Sequence, residues 1–295
     1  MISIIINAFK EPKTIAKAIE SFLVQNIKED YELIVSAPDK ETINAVRKYQ
    51  IKNKKIKIFV DPGKGKSYAI NLALKKLKGR IIILTDGDVY VSKNSVNEII
   101  NEFKNEKIGC VSGHPIPQES KNTKYGYWAN FLMDSAHKLR KNLKQQNKFL
   151  ECSGYLWAFR NNIIDKFPID VAEDTIVPSI FYKKSYKIGY AEHALVYVKN
   201  ADNTKDWIKQ KTRTHKSHGK LDLYVKQIPK VKTFKTEIKG IFWLLSYPKN
   251  LREIFWTIQL VFLRLYTWIR YFFDTKFLNK TYYDGWERVE STKRA

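Results

Sequence analysis

The sequence contains few of the residues that form disulfide frameworks and zinc sites. Its 295 residues include two cysteines, Cys110 and Cys152, and five histidines. No group of these residues has the spacing of zinc ligands. Because two cysteines cannot form a disulfide framework, we expect a protein of a reducing, cytosolic compartment.

Long apolar runs are also missing. The longest stretch without Lys, Arg, Asp or Glu is Ile108–Gln118, with 11 residues, whereas a transmembrane helix needs about 20 apolar residues. The amino terminus passes from Met1 directly into Ile2–Ile6, which is typical of a buried strand and is followed by no cleavage site. We therefore expect neither a signal peptide nor a polytopic membrane protein.

Acidic residues are outnumbered by basic ones. There are 53 Lys and Arg against 30 Asp and Glu, a net charge of +23, while 44% of residues are hydrophobic and 14% aromatic. The apolar content excludes a disordered chain. The positive charge favours anionic partners, namely nucleic acid, an anionic membrane or phosphorylated substrates, but lysines that only coat a folded surface explain it equally well.

The composition changes near Thr236. From there onward 10 Lys and Arg stand against 6 Asp and Glu, a net +4, so residues 1–235 carry +19. The same final segment holds 15 of the 40 aromatic residues. We therefore predict a main domain of residues 1–235 and an aromatic-rich helical tail of residues 236–295.

Short strand patterns alternate with helical patterns in the first third of the chain. The predicted strands are Ile2–Ile6, Tyr31–Ser36, Ile56–Val60 and Arg80–Thr85, and the helical patterns between them are Pro12–Val24, Lys40–Tyr49 and Ser67–Leu77. This alternation predicts an α/β fold with a mostly parallel sheet covered on both faces. Ligands of such sheets bind beyond the carboxyl ends of the strands.

Acidic and glycine-rich motifs follow these strands. Asp86-Gly87-Asp88 comes after a buried strand, where two carboxylates suit Mg²⁺ together with substrate phosphates, although an ordinary Asp-Gly turn is the simpler alternative. Gly63–Ser67 is not a P-loop, because the first glycine of that motif is replaced by Val60. It is either a phosphate-binding turn at the start of a helix or a plain surface loop.

Two further polar motifs lie later in the chain. Glu173 and Asp174 precede a helical stretch, where they act either as a catalytic base or only as favourable partners of the helix dipole. Gln210–His215 is basic and suits either a diphosphate or a solvated or RNA-binding face. His215 and His218 have helical spacing, but a zinc site would need a third ligand.

Taken in order, these segments resemble the motifs of family 2 glycosyltransferases of the GT-A fold over roughly residues 2–220. The resemblance is carried by Asn7–Glu11, by Gly63–Asn71 as the Gly-Lys-x-x-Ala-x-Asn stretch, by Leu84–Asp88 as the D-x-D motif, by Cys152–Arg160 as the Ser-Gly and Phe-Arg segment, by Ala172–Thr175 as the Glu-Asp motif, and by Gln210–Arg213 as Gln-x-x-Arg. Each is a weak signal, whereas six in the right order are a specific one.

The resemblance implies a GT-A fold, in which a Rossmann-like mixed sheet is flanked by helices, and an inverting transfer from a nucleotide-diphosphate sugar with Mg²⁺ or Mn²⁺ as cofactor. The residues that it assigns are Asp174 as the base, with Glu173 and Arg213 as further catalytic residues; Ala8, Phe9, Glu11, Asp39, Lys64, Lys66 and Asp86 as donor ligands; Gln210, Arg213 and His215 as diphosphate ligands; Gly154, Tyr155 and Trp157 as acceptor residues; and Asp86 and Asp88 as metal ligands.

The sequence departs from the family pattern at two places. The family's Asp-Asp-Gly-Ser loop is here Ser36–Asp39, with one acid only, so the donor base stays open. Thr214 stands where processive members have a tryptophan, so we expect a non-processive enzyme.

The tail contains helical patterns with one polar and one apolar side. Leu251–Phe273 predicts an amphipathic helix whose polar residues, among them Glu253 and Arg264, form a narrow stripe, and Ile241–Tyr247 predicts a second short helix. A spanning helix would bring Arg264 to mid-depth at a cost of about 2.5–3.5 kcal/mol. We therefore favour a helix lying in the interface of an anionic membrane, on its cytoplasmic side, over a spanning or re-entrant helix or packing on protein. A lipid-linked or surface-glycan acceptor would suit that location.

Two other functions compete with sugar transfer. A nucleotidyltransferase that makes nucleotide sugars would carry a Gly-x-Gly-x-Arg motif after its first strand, but Asn7–Glu11 has no glycine. A basic nucleic-acid-binding protein would interleave aromatic residues with Lys and Arg. Here the aromatic residues concentrate in the tail and the positive charge in residues 1–235, so we expect no nucleic-acid partner.

Overall fold

The computed structural model describes residues 1–229, 231, 246–282 and 289–293. They form an eight-stranded sheet with helices on both faces. The strands are β1 (Ile2–Asn7), β2 (Tyr31–Ala37), β3 (Ile56–Val60), β4 (Ile81–Asp86), β5 (Tyr90–Val91), β6 (Ile108–Pro117), β7 (Leu156–Arg160) and β8 (Lys187–Val198). The helices are α1 (Ile15–Leu23), α2 (Lys40–Gln50), α3 (Lys66–Leu74), α4 (Ser95–Glu102), α5 (Lys124–Gln145), α6 (Glu173–Lys183), α7 (Thr204–Lys216), α8 (Leu221–Tyr224) and α9 (Leu251–Lys276), and a 3-10 turn covers Glu290–Lys293.

The strand order places a switch point beside β1. The order is β3-β2-β1-β4-β7-β6-β8-β5, and the first four strands run parallel. The chain moves outward from β1 to β3 and then returns to the other side of β1 with β4, so a crevice opens at the carboxyl ends of β1 and β4. Strand β7 runs antiparallel to β4, so the residues before Leu156 arrive at the same edge.

The central strands are apolar because both faces of the sheet are covered. All six residues of β1 are buried. Ile4 and Ile6 join the cluster on one face, and Ile5 joins the cluster on the other with Leu84. This alternation follows from the period of two in a strand. The buried core fixes the register in which Asn7 stands opposite Asp86.

Helix α9 packs on the main domain with its polar side. Its buried residues include Thr257, Thr267 and Asp274. The hydroxyl of Thr257 lies 2.6 Å from that of Tyr127 in α5, and Asp274 pairs with Lys216 of α7 at 2.6 Å. The helix therefore turns its polar stripe toward the protein.

The opposite side of α9 is apolar and exposed. Its exposed residues are Leu251, Ile254, Phe255, Ile258, Val261, Phe262, Leu265, Tyr266, Ile269, Phe272 and Phe273. Surface helices normally bury the apolar stripe and expose the polar one. None of the helices in the described ranges has both the length and the hydropathy that crossing a bilayer requires.

The four predicted strands are confirmed, with ends that differ by at most one residue from the pattern. The helix predicted from Leu251 is also confirmed and extends to Lys276. The second short helix, predicted for Ile241–Tyr247, falls mostly outside the described residues, as does the boundary between residues 235 and 236.

Candidate active site

A cleft of about 430 Å³ opens at the switch point of the sheet. Its walls come from the loops after β1 and β4, from the segment before β7, and from the starts of α3 and α6 and one side of α7. The predicted site residues that line it are Phe9, Glu11, Lys66, Asp86, Asp88, Gly154, Tyr155, Glu173, Asp174, Gln210 and Arg213. Residues far apart in sequence thus share one space because their strands end at one edge.

The ammonium group of Lys66 lies among carboxylates. Its Nζ is 2.7 Å from Asp86 Oδ1 and 2.8 Å from Glu173 Oε1, and it donates to the carbonyl oxygen of Gly154 at 3.3 Å. Burial alone would lower the pKa of Lys66, but the two carboxylates outweigh that effect and raise it well above its usual value. Lys66 therefore stays charged.

Asp174 lies in the first turn of α6 and lines the cleft. A methyl group added to Gly154 would be 3.0 Å from its Oδ2 atom, so the glycine permits the segment before β7 to approach this carboxylate. Gly87 is required for a similar reason, because a side chain there would collide with Ala8 and Glu11. The close contacts at these two glycines bring the loops of the cleft together.

The walls that α5 and α7 contribute to the cleft combine basic and apolar side chains. Helix α7 contributes Gln210, Lys211 and Arg213, and α5 contributes Leu132, Met133, Ala136 and Arg140. The Nε–H of Arg140 donates to the carbonyl of Glu151 at 3.1 Å, and His218 Nε2 lies 3.1 Å from Glu151 Oε2. This side of the cleft suits a substrate with both apolar and anionic parts.

The donor set of the cleft fits one divalent cation when a phosphate is present. Asp86 and Asp88 line the cleft and would offer hard oxygen ligands, and Asn7, which also lines the cleft, has a buried Oδ1 atom without a hydrogen-bond partner. Within the described residues there is no group of three or more His, Cys, Asp and Glu arranged to hold a metal. Mg²⁺ commonly uses one or two carboxylates and completes its shell with phosphates and water.

Comparison with protein families decides the classification. A sequence profile described as Glycosyl transferase family 2 matches residues 3–167, more than half of the chain. The chain belongs to glycosyltransferase family 2. It is accordingly a transferase, and the matched segment contains the D-x-D motif and the loops after β1 to β4.

Relatives of this family 2 glycosyltransferase are distant in sequence. An N-acetylglucosaminyltransferase of Azorhizobium caulinodans is 21% identical over 238 residues, which are 73% of this chain and 59% of that protein. The chain thus spans about three-fifths of that relative's length.

Solved structures share the fold at similarly low identity. The mannosyltransferase PcManGT from Pyrobaculum calidifontis, solved with GDP-Man and Mn²⁺, superposes with a TM-score of 0.69 at 15% identity, covering 93% of this chain and 88% of that one. S. aureus TarS 1-349 with UDP-GlcNAc gives a TM-score of 0.50 at 16% identity and coverages of 88% and 79%. The fold is therefore GT-A, as the motifs predicted.

Two residues of this glycosyltransferase that the motifs assigned to substrate binding, one to the acceptor and one to the diphosphate, point away from the cleft. Trp157 is fully buried in the core and stacks on Phe159 with ring centroids 5.4 Å apart, so it is not in a position to contact an acceptor. His215 lies on the side of α7 that faces α9, where its ring is 3.9 Å from Trp268. Adjacent motif positions alternate between faces of a strand or rotate about 100° per residue around a helix.

The surroundings of His215 favour a neutral side chain over a cationic one. Burial, followed by the positive charges of Arg264 and Lys211, lowers the pKa of His215 to about 3. Its Nε2 atom lies 3.2 Å from Thr267 Oγ1 in α9. A neutral, buried imidazole joins two helices here, whereas the ring of His218 contacts Glu151 with its Nε2 atom at 3.1 Å.

Three predicted donor ligands lie beside the cleft rather than in its lining. Ala8 is fully buried and Lys64 is exposed. Asp39 caps α2 by accepting from the backbone N–H of Thr42 at 2.9 Å, and it also accepts from Lys10 N–H at 2.8 Å. Asp39 therefore holds the loops after β1 and β2 against each other, and its contact with a base stays a prediction.

Sequence reasoning missed several residues that line the cleft. They are Leu132, Met133, Ala136 and Arg140 of α5 and three residues after α9, namely Tyr282, Val289 and Thr292; His218, considered from the sequence only as a zinc ligand, also lines it. The cleft face of α5 follows helical spacing, but nothing in the sequence distinguishes it from an ordinary amphipathic face. The three late residues could not be assigned because their place depends on how the tail returns to the main domain.

Proposed function

We propose that this chain is a non-processive, inverting glycosyltransferase that moves a sugar from a nucleotide-diphosphate donor to an acceptor hydroxyl. The observation that carries the proposal is that Asp88 and Asp174 line the same cleft. The fold relatives support the donor class, since one is described with GDP-Man and another with UDP-GlcNAc. The donor diphosphate would lie near Asp88, and the acceptor between Asp174 and α5.

In the proposed reaction Asp174 accepts the proton of the acceptor hydroxyl. The hydroxyl oxygen attacks the anomeric carbon on the face opposite the diphosphate, and a new carbon–oxygen bond forms as the bond to the diphosphate breaks. The diphosphate leaves with the electron pair of that bond, and the anomeric configuration inverts. The side chains of Gln210 and Arg213, on the cleft side of α7, would donate to the diphosphate as its charge develops.

The cofactor proposed for this site is Mg²⁺ or Mn²⁺, held by Asp88 with Asp86 nearby. Such an ion would neutralise the charge of the diphosphate, which is worth several kcal/mol in the transition state. The presence of Mn²⁺ with GDP-Man in a fold relative supports this assignment. Glu11 and Phe9, which line the cleft, would complete the donor side of the site.

Binding of donor can be tested by thermal unfolding with a panel of nucleotide sugars and Mn²⁺. A ligand present at about 100 times its dissociation constant stabilises by roughly 2.7 kcal/mol, which corresponds to a rise in Tm of several degrees. We expect this rise with a UDP- or GDP-sugar. Stabilisation only by a nucleoside triphosphate would favour the nucleotidyltransferase alternative. Stabilisation only by oligonucleotides, lost at high salt, would favour nucleic-acid binding.

We also propose that α9 lies on the cytoplasmic face of an anionic cell membrane, where a lipid-linked or surface-glycan acceptor would be available. The exposed apolar face of α9 supports this, and so do the exposed basic residues around it: Lys249, Arg252, Arg270, Lys276 and Lys280. Of its two acidic residues, Asp274 is buried against Lys216, and Glu253 is half-buried in the polar stripe. A positive rim around an apolar face complements acidic headgroups.

Vesicle flotation tests this membrane proposal. We expect the protein to float with vesicles of equal parts phosphatidylglycerol and phosphatidylcholine, and to float less with phosphatidylcholine alone. Phe262 is 67% exposed, and burying a phenylalanine is worth about 1.5–3 kcal/mol, so Phe262→Glu should weaken binding at least about 10-fold. Ile51→Glu, which changes another exposed apolar residue, is the matched control. Equal flotation of both variants would refute the assignment.

A further inference from the structure

The hydrogen-bonding capacity of Lys66 is fully used inside the protein. Its ammonium group has three N–H donors, and three oxygen atoms lie within reach: Asp86 Oδ1 at 2.7 Å, Glu173 Oε1 at 2.8 Å and the Gly154 carbonyl at 3.3 Å. The side chain is only 13% exposed. In this arrangement Lys66 has no donor left for a diphosphate, although the motif resemblance assigns it to the donor.

The position of Lys66 is fixed by the backbone that precedes it. Gly65, the residue before α3, has a φ of +112°, a conformation that residues with a side chain rarely adopt. Gly65 is the N-cap of α3, and Lys66 is the first residue of the helix. Its partner Glu173 is 4% exposed, and a buried carboxylate is costly unless a cation compensates it.

Each partner of Lys66 is adjacent to a residue of the proposed chemistry. Asp86 is two residues before Asp88, and Glu173 directly precedes Asp174 in α6. Gly154, whose carbonyl accepts from Lys66, is the residue at which a methyl group would lie 3.0 Å from Asp174 Oδ2. The three contacts therefore link the carboxyl end of β4, the start of α6 and the segment before β7.

We propose that Lys66 is a positioning residue that sets the distance between Asp88, the proposed metal ligand, and Asp174, the proposed base. This inference rests on the proposed function, and it changes two assignments. Lys66 acts through Asp86 and Glu173 rather than by binding the donor, and Glu173 is the counter-ion of Lys66 rather than a further catalytic residue. Successive residues of a helix point about 100° apart. When Glu173 pairs with Lys66, α6 is held in one orientation, and the side chain of Asp174 points away from Lys66 by about that angle.

A double-mutant cycle with Lys66→Met and Glu173→Gln tests this inference. Misplacement of catalytic groups by about 1 Å can cost about 100-fold in rate, so we expect Lys66→Met to lower kcat by about 10–100-fold and to change the donor KM by less than about threefold. Glu173→Gln should lower kcat in the same way. The double variant should be no slower than Lys66→Met alone, because Glu173→Gln removes a contact that Lys66→Met has already removed. Lys75→Met, an exposed lysine at the other end of α3, is the control.

Two results would overturn the inference. One is a rise of about 10-fold or more in the donor KM of Lys66→Met with kcat unchanged, which would identify Lys66 as a donor ligand. The other is a double variant whose loss in kcat equals the product of the losses in the two single variants. Glu173→Gln keeps the pair of Lys66 with Asp86, so it remains informative if Lys66→Met does not fold.

Failure of the proposed function would be recognised separately. In that case the wild-type protein would neither bind nor consume any nucleotide sugar of the panel. Thermal unfolding of the single and double variants without donor would still measure the coupling between Lys66 and Glu173. Additive changes in Tm would refute the contact on which the inference depends, and non-additive changes would support it.

Discussion

Replacement of Asp174 by asparagine is expected to lower the transfer rate by about 10²–10⁴-fold, the range that a positioned general base contributes. The amide has nearly the same shape as the carboxylate but does not accept the acceptor proton. Asp174 is half-buried in the first turn of α6, so the change should leave the fold intact. The measurement is kcat and donor KM with the donor that the thermal panel identifies, and we expect kcat to carry the loss.

Asp165→Asn is the matched control for this variant. Asp165 is exposed and lies in the segment between β7 and α6, so the same chemical change there should leave kcat unaltered. A fully active Asp174→Asn protein would remove the base role from Asp174. An inactive variant that also fails to bind donor or to melt cooperatively would instead indicate a structural role, which the far-UV spectrum and the melting curve report.

The part of the site formed at strand ends could be predicted from the sequence, and physical reasons explain why. Parallel strands bring their carboxyl ends to one edge, and buried strands such as Ile2–Asn7 are recognisable as apolar runs. The convergence of residues that closely follow such strands, for example Glu11 and Asp88, can therefore be predicted without knowledge of tertiary contacts. The Glu-Asp and Gln-x-x-Arg motifs are different, because only the family resemblance linked them to the same space.

Trp157 and His215, which the motifs assigned to substrate binding, lie outside the cleft for a common reason. Their role depends on which side of an element packs against the rest of the protein. Trp157 belongs to a motif segment, but its face of β7 points into the core. His215 follows Arg213 by two positions, and that spacing turns it toward α9. A motif gives the order of residues, whereas the packing partner determines which face is available.

Helix α9 illustrates the same limit. Its periodicity predicts a polar stripe and an apolar face, but periodicity alone does not say which of them contacts protein. Three specific contacts decide the question: Thr257 with Tyr127, Thr267 with His215, and Asp274 with Lys216. Because these polar groups find partners on α5 and α7, the apolar face is left outward.

Asp88→Ala is expected to reduce transfer at least about 100-fold, because metal neutralisation of a leaving diphosphate contributes several kcal/mol and each 1.36 kcal/mol is about a factor of ten. Lys66 pairs with Asp86 at 2.7 Å, so we expect Asp88 to carry most of the protein's coordination of the cation. Loss of that carboxylate should therefore remove the metal effect, while the nucleoside contacts stay.

A measurement independent of turnover separates these contributions. In the wild type, Mn²⁺ should increase the thermal stabilisation given by a nucleoside diphosphate, and chelation with EDTA should remove the increase. In Asp88→Ala the stabilisation should be the same with Mn²⁺ and with EDTA, whereas Asp165→Ala should behave as the wild type. An Mn²⁺-dependent increase that persists in Asp88→Ala would place the cation on other ligands, and Asp86 would then be the carboxylate to replace next.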